Sequence, residues 1–381
     1  MTVSIVPVSS SADLDAFIRL PVTLYSGLPG YVPSLTMERQ AVLDPAKGSF
    51  FAHGKVQYWL ARRDGRNVGR ISAQLDTAQP AETFDGAGLF GCFDCIDDAE
   101  VAQALLATAE GWLRQEGRGA TIGPFALNMN SEPGVLVEGQ DEPPLSMVSW
   151  HPRYLQALLL RAGYAAEKDL HYWRLSDLPA RIPEITKFRR PLTRVPDLTT
   201  RPLNMKRLEH DVEIIRTLYN DGWKDNWGFV PLEPADVAAI SKDMRPFVKP
   251  DFGVIVEKAG RPVGAALLFP NLYELSDGLG TDPSLLGWAK LGYRTLFHRF
   301  RTGFIIILGI RHEMRHSVGG ALVAMALVNE LVDRFSRYED QSGWIEAGWV
   351  LDDNLALQKI MLQYGFEKKR TLRLFKKVLT A

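Results

Sequence analysis

The sequence predicts an α/β protein of two consecutive domains, each a mixed central sheet flanked by helices. Three observations carry this. The chain has 381 residues, more than one domain usually holds. Each half repeats one order of elements: hairpin, strand, helix, strand, helix, strand. That mixed order, with a hairpin ahead of the strand–helix units, argues for an α/β sandwich rather than a doubly wound parallel sheet.

In the first half, alternation predicts strands at 56–62 and 67–75, joined by the turn Arg63-Asp64-Gly65-Arg66. A strand follows at 88–96. Asp97 and Glu100 fit a capping box ahead of a helix over 99–115, where Val101, Leu105, Ala109 and Trp112 recur at helical spacing. A strand at 120–128, a Gly/Pro-rich loop to residue 152, a helix at 154–162 and a strand at 170–175 close a first domain of residues 1–178. Residues 179–201 are rich in Pro and Arg without a period and read as a linker. The second domain, 202–381, opens with helical residues at 211–219. A hairpin at 252–258 and 262–269 turns at Ala259-Gly260-Arg261. An apolar strand at 303–310, a helix at 319–337, a strand at 343–351, a helix at 354–364 and a strand at 371–377 follow.

Apolar residues make up 46% of the chain and charged residues 23%, enough to build a buried core. The formal net charge of −1 provides no field to hold nucleic acid. No apolar run reaches the ~18–20 residues of a membrane span, and the first residues lack a basic region followed by an apolar core. A cytoplasmic protein is expected. Cys92 and Cys95 form a C-x-x-C. A zinc site would need a second ligand pair, and a redox pair usually opens a helix. These two sit in a strand that points their sulfurs to opposite faces, so they read as small core residues, and no metal is expected.

The chemistry concentrates in the second domain. The strand ending Leu308-Gly309-Ile310 runs into a loop holding Arg315, His316, Ser317, Val318, Gly319 and Gly320, then into a helix. Paired glycines let backbone N–H groups approach a phosphate, and a helix N-terminus favours an anion. The alternative is a tight strand-to-helix turn. The strand carrying Glu346 leads to Asn354, a helix, and Gly365-Phe366. That succession resembles the closing half of a GNAT N-acyltransferase, and Arg315 to Gly320 resembles the family's pyrophosphate loop. Two departures stand out. Val318 replaces the usual first Gly, implying a wider loop or a weaker grip. Met361 stands where the family often has a Tyr acid. The first half lacks the loop and carries Asp97, Asp98 and Glu100 instead, which would repel a pyrophosphate. It is expected to have lost cofactor binding and to serve as substrate wall or scaffold.

A closer resemblance spans nearly the whole chain. GLFGCFDC at 88–95, GPFALN at 123–128, EPGVLVEG at 132–139 and NWGFVP at 226–231 resemble tandem GNAT-like bacterial proteins, to which bacterial ceramide synthases are similar. The resemblance implies direct acyl transfer from a long-chain acyl-CoA to the amine of a sphingoid base or another lipid amine, without metal. Leu308, Gly309 and Ile310 would hold the thioester, and the Arg315–Gly320 loop with Asn354 the rest of CoA. Asn128, Asn130, Tyr219, Trp223, Asn226 and Trp227 would line the acceptor pocket; aromatic packing is the plainer reading of that cluster. An alkyl ammonium, with a pKa of ~10, must lose a proton before attack. Glu346, on the strand flanking the thioester, is the first candidate base. Glu132, on a loop that could reach across the domain interface, is the second. Glu346 could instead only pair with an Arg, and Glu132 only cap a turn.

Rival expectations are an acetyl- or aminoacyltransferase on another amine, an acyl carrier protein as donor, and a non-catalytic binding protein that kept the fold. An aminoacyl-tRNA-dependent enzyme would want a basic surface that the net charge does not supply. Between 283 and 312 there is no Asp or Glu, while Lys290, Arg294, Arg299, Arg301 and Arg311 are present. Leu286, Ala289, Tyr293, Leu296 and Phe300 form one stripe if this segment is helical. A basic amphipathic helix at 285–301 suits an anionic membrane surface, with the protein peripheral at the inner membrane. The alternative is a stripe packed on the core.

Overall fold

A computed structural model describes residues 2–178, 180, 196–315, 317–337 and 343–379. The expected linker at 179–201 lies mostly outside the described residues. Two compact units emerge: Met1–His171 with Ser276–Ser284 and Lys369–Ala381, and Tyr172–Leu275 with Leu285–Lys368. They are not the consecutive segments 1–178 and 202–381, because the last strand of the chain belongs to the first unit.

The first unit contains β1 (Ser4–Pro7), α1 (Ser11–Tyr25), α2 (Thr36–Leu43), β2 (Gly54–Arg63), β3 (Arg66–Asp76), β4 (Gly88–Cys95), α3 (Ala99–Gln115), β5 (Ala120–Phe125), β6 (Val135–Glu138), α4 (Tyr154–Arg161) and the start of β7 (Ala165–Ser176). The strands order β1-β2-β3-β4-β5, and then β13 (Glu367–Val378), which also pairs with β6. The hairpin turns through Asp64 (φ 52°) and Gly65 (φ 74°), the positive φ values of a tight two-residue turn. α3 buries Val101, Leu105, Leu106, Ala109 and Leu113 against Ile71, Ala73, Phe90 and Phe93. Each large side chain there stabilises by about 1.5–3 kcal/mol. The cap is Asp98, one residue past the expected Asp97: its carboxylate accepts from the Glu100 and Val101 amides at 2.9 and 3.2 Å. Cys95 joins the core under α3 and Cys92 the core on the other face, as alternation requires. Both thiols are free, and burial pushes both pKa values up, so neither is poised for redox chemistry.

The second unit contains the end of β7, β8 (Leu198–Pro202), α5 (Leu208–Trp223), α6 (Pro234–Met244), β9 (Gly253–Lys258), β10 (Arg261–Pro270), α7 (Leu285–Phe297), β11 (Thr302–Ile310), α8 (Val318–Phe335), β12 (Trp344–Leu351) and α9 (Leu355–Gln363). The strands order β12-β11-β10-β9-β8. α8 presses Val323, Leu327, Leu331 and Phe335 onto Val254, Val256, Ala266 and Leu268. β11 and β12 pair in parallel from Thr302↔Trp344 to Ile305↔Ala347. Beyond that point β11 continues along β10, reaching Gly264↔Ile310. The two strands therefore part after Ile305, opening a wedge whose β11 side is 306–310. A similar parting occurs in the first unit. The parallel pairing of β4 with β5 ends at Gly91↔Phe125, while β4 runs on beside β3 to Gly69↔Cys95.

Candidate active site

The wedge of the second unit leads directly into the loop singled out in the sequence. Arg311 is anchored by its N–H to Val263 O (2.9 Å) and its Nε to Pro262 O (2.8 Å). A short turn at His312–Met314 follows, and Ser317 caps α8. Its Oγ accepts from Gly320 N at 3.0 Å and donates to Met314 O at 2.7 Å. A Cβ on Gly320 would lie 2.0 Å from Met314 O, so glycine there lets the loop carbonyl lie against the helix. The capped amide leaves those of Val318 and Gly319 at the open first turn, where an anion is favoured. The Val318 side chain is 80% exposed and stands away from the loop. His316 lies outside the described residues.

α5 closes one side of this site. Trp223 packs on Tyr219 (ring centroids 4.9 Å apart) and on Trp349 of β12 (5.7 Å), and Tyr219 packs on Phe229 (5.7 Å). A Cβ on Gly309 would stand 3.5 Å from the indole nitrogen of Trp223, and one on Gly222 would stand 2.5 Å from Ile310 O. The aromatic cluster thus lies against the parted end of β11. Arg315 Nη2 donates to Asn226 Oδ1 at 3.2 Å. Asp221 accepts from His312 N (2.9 Å), and Asp225 meets His312 Nε2 (2.6 Å), so His312 faces carboxylates rather than an open phosphate position. The structure therefore brings Tyr219, Trp223, Asn226, Gly309, Ile310 and Arg315 together. Leu308 is half-buried against the core, and Trp227 is half-buried. Asn354 caps α9, accepting from Leu357 N at 3.2 Å. Trp349 was not singled out from the sequence; its place beside Glu346 on one strand was the available signal.

Glu346 is 0% exposed and accepts from Arg174 Nε (2.9 Å) and Nη2 (2.5 Å). The Arg174 guanidinium also lies 4.1 Å from the Trp344 ring centroid. This is the arginine pairing that the sequence left open as the plainer role of Glu346.

Glu132, Asn128 and Asn130 belong to the first unit. Asn128 donates to Asp76 Oδ2 at 2.7 Å and accepts from Asn130 N at 3.0 Å. Where β4 and β5 part there is a cavity of about 40 Å³, lined by Arg39, Arg70, Asp94, Glu132, Ser149 and His151 among others. The Glu132 backbone is left-handed (φ 36°), a conformation uncommon outside glycine. Its carboxylate pairs with Arg39 and accepts from Ser149 Oγ at 3.0 Å. Burial raises its pKa, but Arg39 and the two hydrogen bonds outweigh this and hold it below 4.5. Arg70 pairs with Asp94 at 2.8 Å. Burial lowers the His151 pKa below 6.5, and its Nδ1 accepts from Leu136 N at 3.2 Å, which places the ring proton on Nε2. At the corresponding helix N-terminus, α3 has its amides taken by Asp98, which Arg63 neutralises at 2.7 Å. No group of three or more metal-ligating side chains occurs among the described residues.

No family model matches the chain. Over 384 residues it is 33% identical to the bacterial ceramide synthase of Caulobacter vibrioides (strain NA1000 / CB15N), covering 99% of this chain and 97% of that protein. The chain belongs to the tandem GNAT-like N-acyltransferases. Protein YghO of Escherichia coli (strain K12) is also 33% identical, over 96% of this chain and 93% of its own. The tandem GNAT protein of the clavulanic acid pathway matches with a TM-score of 0.56 at 13% identity, covering 100% of this chain and 99% of that one. A GCN5-related N-acetyltransferase of Sphaerobacter thermophilus matches with 0.53 at 12%, covering 100% and 96%. These two likenesses show the fold. This tandem GNAT-like protein is an N-acyltransferase.

Proposed function

We propose that this enzyme moves a long-chain acyl group from acyl-CoA to the amine of a sphingoid base or a similar lipid amine. The observation that carries the reading is end-to-end identity of 33% with a bacterial ceramide synthase. In this reading the donor lies in the wedge of the second unit. The edge of 306–310 that has parted from β12 receives the thioester carbonyl, and the Val318 and Gly319 amides with Arg315 receive the pyrophosphate. The first unit binds no CoA in this reading, because Asp98 already fills the amides of its own helix. The amine loses its proton to a carboxylate and attacks the thioester carbon. The tetrahedral intermediate then collapses: the C–S bond breaks, the departing CoA sulfur takes up the second proton of the nitrogen, and an amide and free CoA thiol remain.

Of the two candidate bases, Glu132 is ionised and lines a cavity, whereas Glu346 is enclosed with Arg174. Accessibility supports Glu132. Both substrates would be amphiphiles, so the enzyme would work beside a lipid surface. No helix among the described residues is long and apolar enough to cross a membrane. The test is incubation with palmitoyl-CoA, or palmitoyl-loaded acyl carrier protein, and a panel of amines, followed by mass spectrometry. Acylated sphinganine is the expected product. Transfer only to short, water-soluble amines would overturn the acceptor assignment, and transfer only from the carrier protein would overturn the donor.

A further inference from the structure

Thirteen residues, Leu285–Phe297, form α7, and not one of them is buried. Leu291 is the residue that packs on the core of the second unit, and Arg294 turns inward to donate to Leu275 O at 2.7 Å. Those two positions define the inner face. At 100° per residue, Leu285, Leu286, Ala289, Tyr293 and Leu296 fall within about 100° of one another on the opposite face. Their exposure follows: Leu285 89%, Leu286 84%, Tyr293 65% and Leu296 72%, with Phe297 at 65% on the flank. The stripe read from the sequence thus faces solvent, not the core. Phe300 is the exception, lying past the helix end and buried. Large apolar side chains clustered this way mark a docking surface.

Charge identifies what docks. Lys290 is exposed at the edge of the stripe and Arg299 just beyond the helix end. The nearby carboxylate of Glu274 is engaged by His298 Nε2 (2.9 Å), Arg301 N (2.9 Å) and Thr302 N (2.8 Å). No acid occurs from 283 to 312. A second copy of the chain would set these cations against one another. A surface both apolar and anionic satisfies all of them.

We infer that α7 docks the enzyme on an anionic lipid bilayer. Leu285, Leu286, Tyr293 and Leu296 enter the acyl boundary, and Lys290 and Arg299 lie at the level of the lipid phosphates. The helix runs about 20 Å along the surface. The geometry stands without any assumption about the reaction, and it deepens the lipid-amine reading by naming the partner that presents the acceptor.

The experiment is flotation of the full chain with vesicles of phosphatidylcholine alone or with about one-third phosphatidylglycerol. Binding to the anionic vesicles, weakened by salt, is expected. Leu286→Asp with Leu296→Asp should reduce it by about tenfold or more, and Lys290→Glu with Arg299→Glu should remove its dependence on phosphatidylglycerol. Arg294 is left alone because its inward hydrogen bond makes it part of the fold. All four positions are exposed, so the melting temperature should not move. Trp288→Phe should remove part of the vesicle-dependent fluorescence change. Absent binding, equal binding to both vesicle types, or an undiminished Leu286→Asp, Leu296→Asp variant would overturn the inference. So would a dimer that the same variant abolishes. Anionic-vesicle binding together with failure to acylate any lipid amine would uphold the docking surface and refute the acceptor assignment.

Discussion

Glu346→Gln should act first on stability, and only through stability on turnover. The carboxylate is 0% exposed and holds Arg174, whose own side chain is 7% exposed, at 2.9 and 2.5 Å. Removing one charge from such a buried pair costs about 3–5 kcal/mol. For a unit of this size, 1 kcal/mol moves the melting temperature by about 2–4 °C, so a fall of roughly 6–20 °C is expected. Arg174→Met alone should be similarly damaging, because it takes that guanidinium from a buried carboxylate. The double variant Arg174→Met, Glu346→Leu removes both charges and fills similar volume, and should recover most of the loss. The assay is calorimetry on all four proteins beside steady-state acyl transfer below the lowest melting temperature. Turnover in the double variant is expected within about threefold of the parent, since a general-base role would cost ~10²–10⁴. A well-folded double variant slowed by ~10² or more would refute the reasoning and make Glu346 the base, and unchanged stability of Glu346→Gln would refute the energetics.

Val318→Glu places a carboxylate on an exposed helix N-terminus, so folding should be unchanged or stabilised by about 0.3–1 kcal/mol, while repulsion of the pyrophosphate weakens CoA about 10–100-fold by calorimetry. Gly320→Ala is the contrasting case, because its Cβ would stand 2.0 Å from Met314 O; it should lose both binding and melting temperature. Wild-type affinity in Val318→Glu would remove this loop from the donor site. Glu132→Gln should lower turnover at neutral pH by ~10²–10⁴, and the loss should shrink as pH approaches the pKa of the amine; full activity at pH 7 would exclude it. His151 has its pKa depressed below 6.5, so the unfolded chain takes up that proton first and stability falls as pH drops below 6.5. Glu132 adds to this at lower pH, since a carboxyl held below 4.5 loses its stabilisation as pH falls through the folded value. Melting temperatures between pH 8 and 5 should therefore decline in the parent and decline less in His151→Gln; parallel profiles would exclude His151 as the cause.

Features set by near neighbours were legible in the sequence. The Asp64-Gly65 and Ala259-Gly260 turns, the periodicity of α3 and α8, and the strand–loop–helix passage from Ile310 to Gly320 each depend on residues a few places apart. Their steric and hydrogen-bonding preferences act locally, so the pattern survives reading in one dimension. Even there, the cap moved from Asp97 to Asp98, because the choice between adjacent acids rests on which one reaches the free amides. Helix α1, whose 15 residues bury Phe17, Ile18, Leu20 and Tyr25, went unread along with the shorter β1 and α2.

What only the tertiary structure decided involves partners far apart in the chain. Glu346 meets Arg174 across 172 positions and Glu132 meets Arg39 across 93, and each carboxylate's accessibility follows from that meeting. Pairing of β13 with β5, at Phe375↔Gly123, gives the last strand to the first unit, and no periodicity within β13 encodes that choice. The stripe on α7 was visible from spacing alone. Whether it faced core or water depended on Leu291 and Arg294 finding Leu275 and the core behind it. A helix can bury either of two faces at similar local cost, and contacts supplied by distant segments select between them.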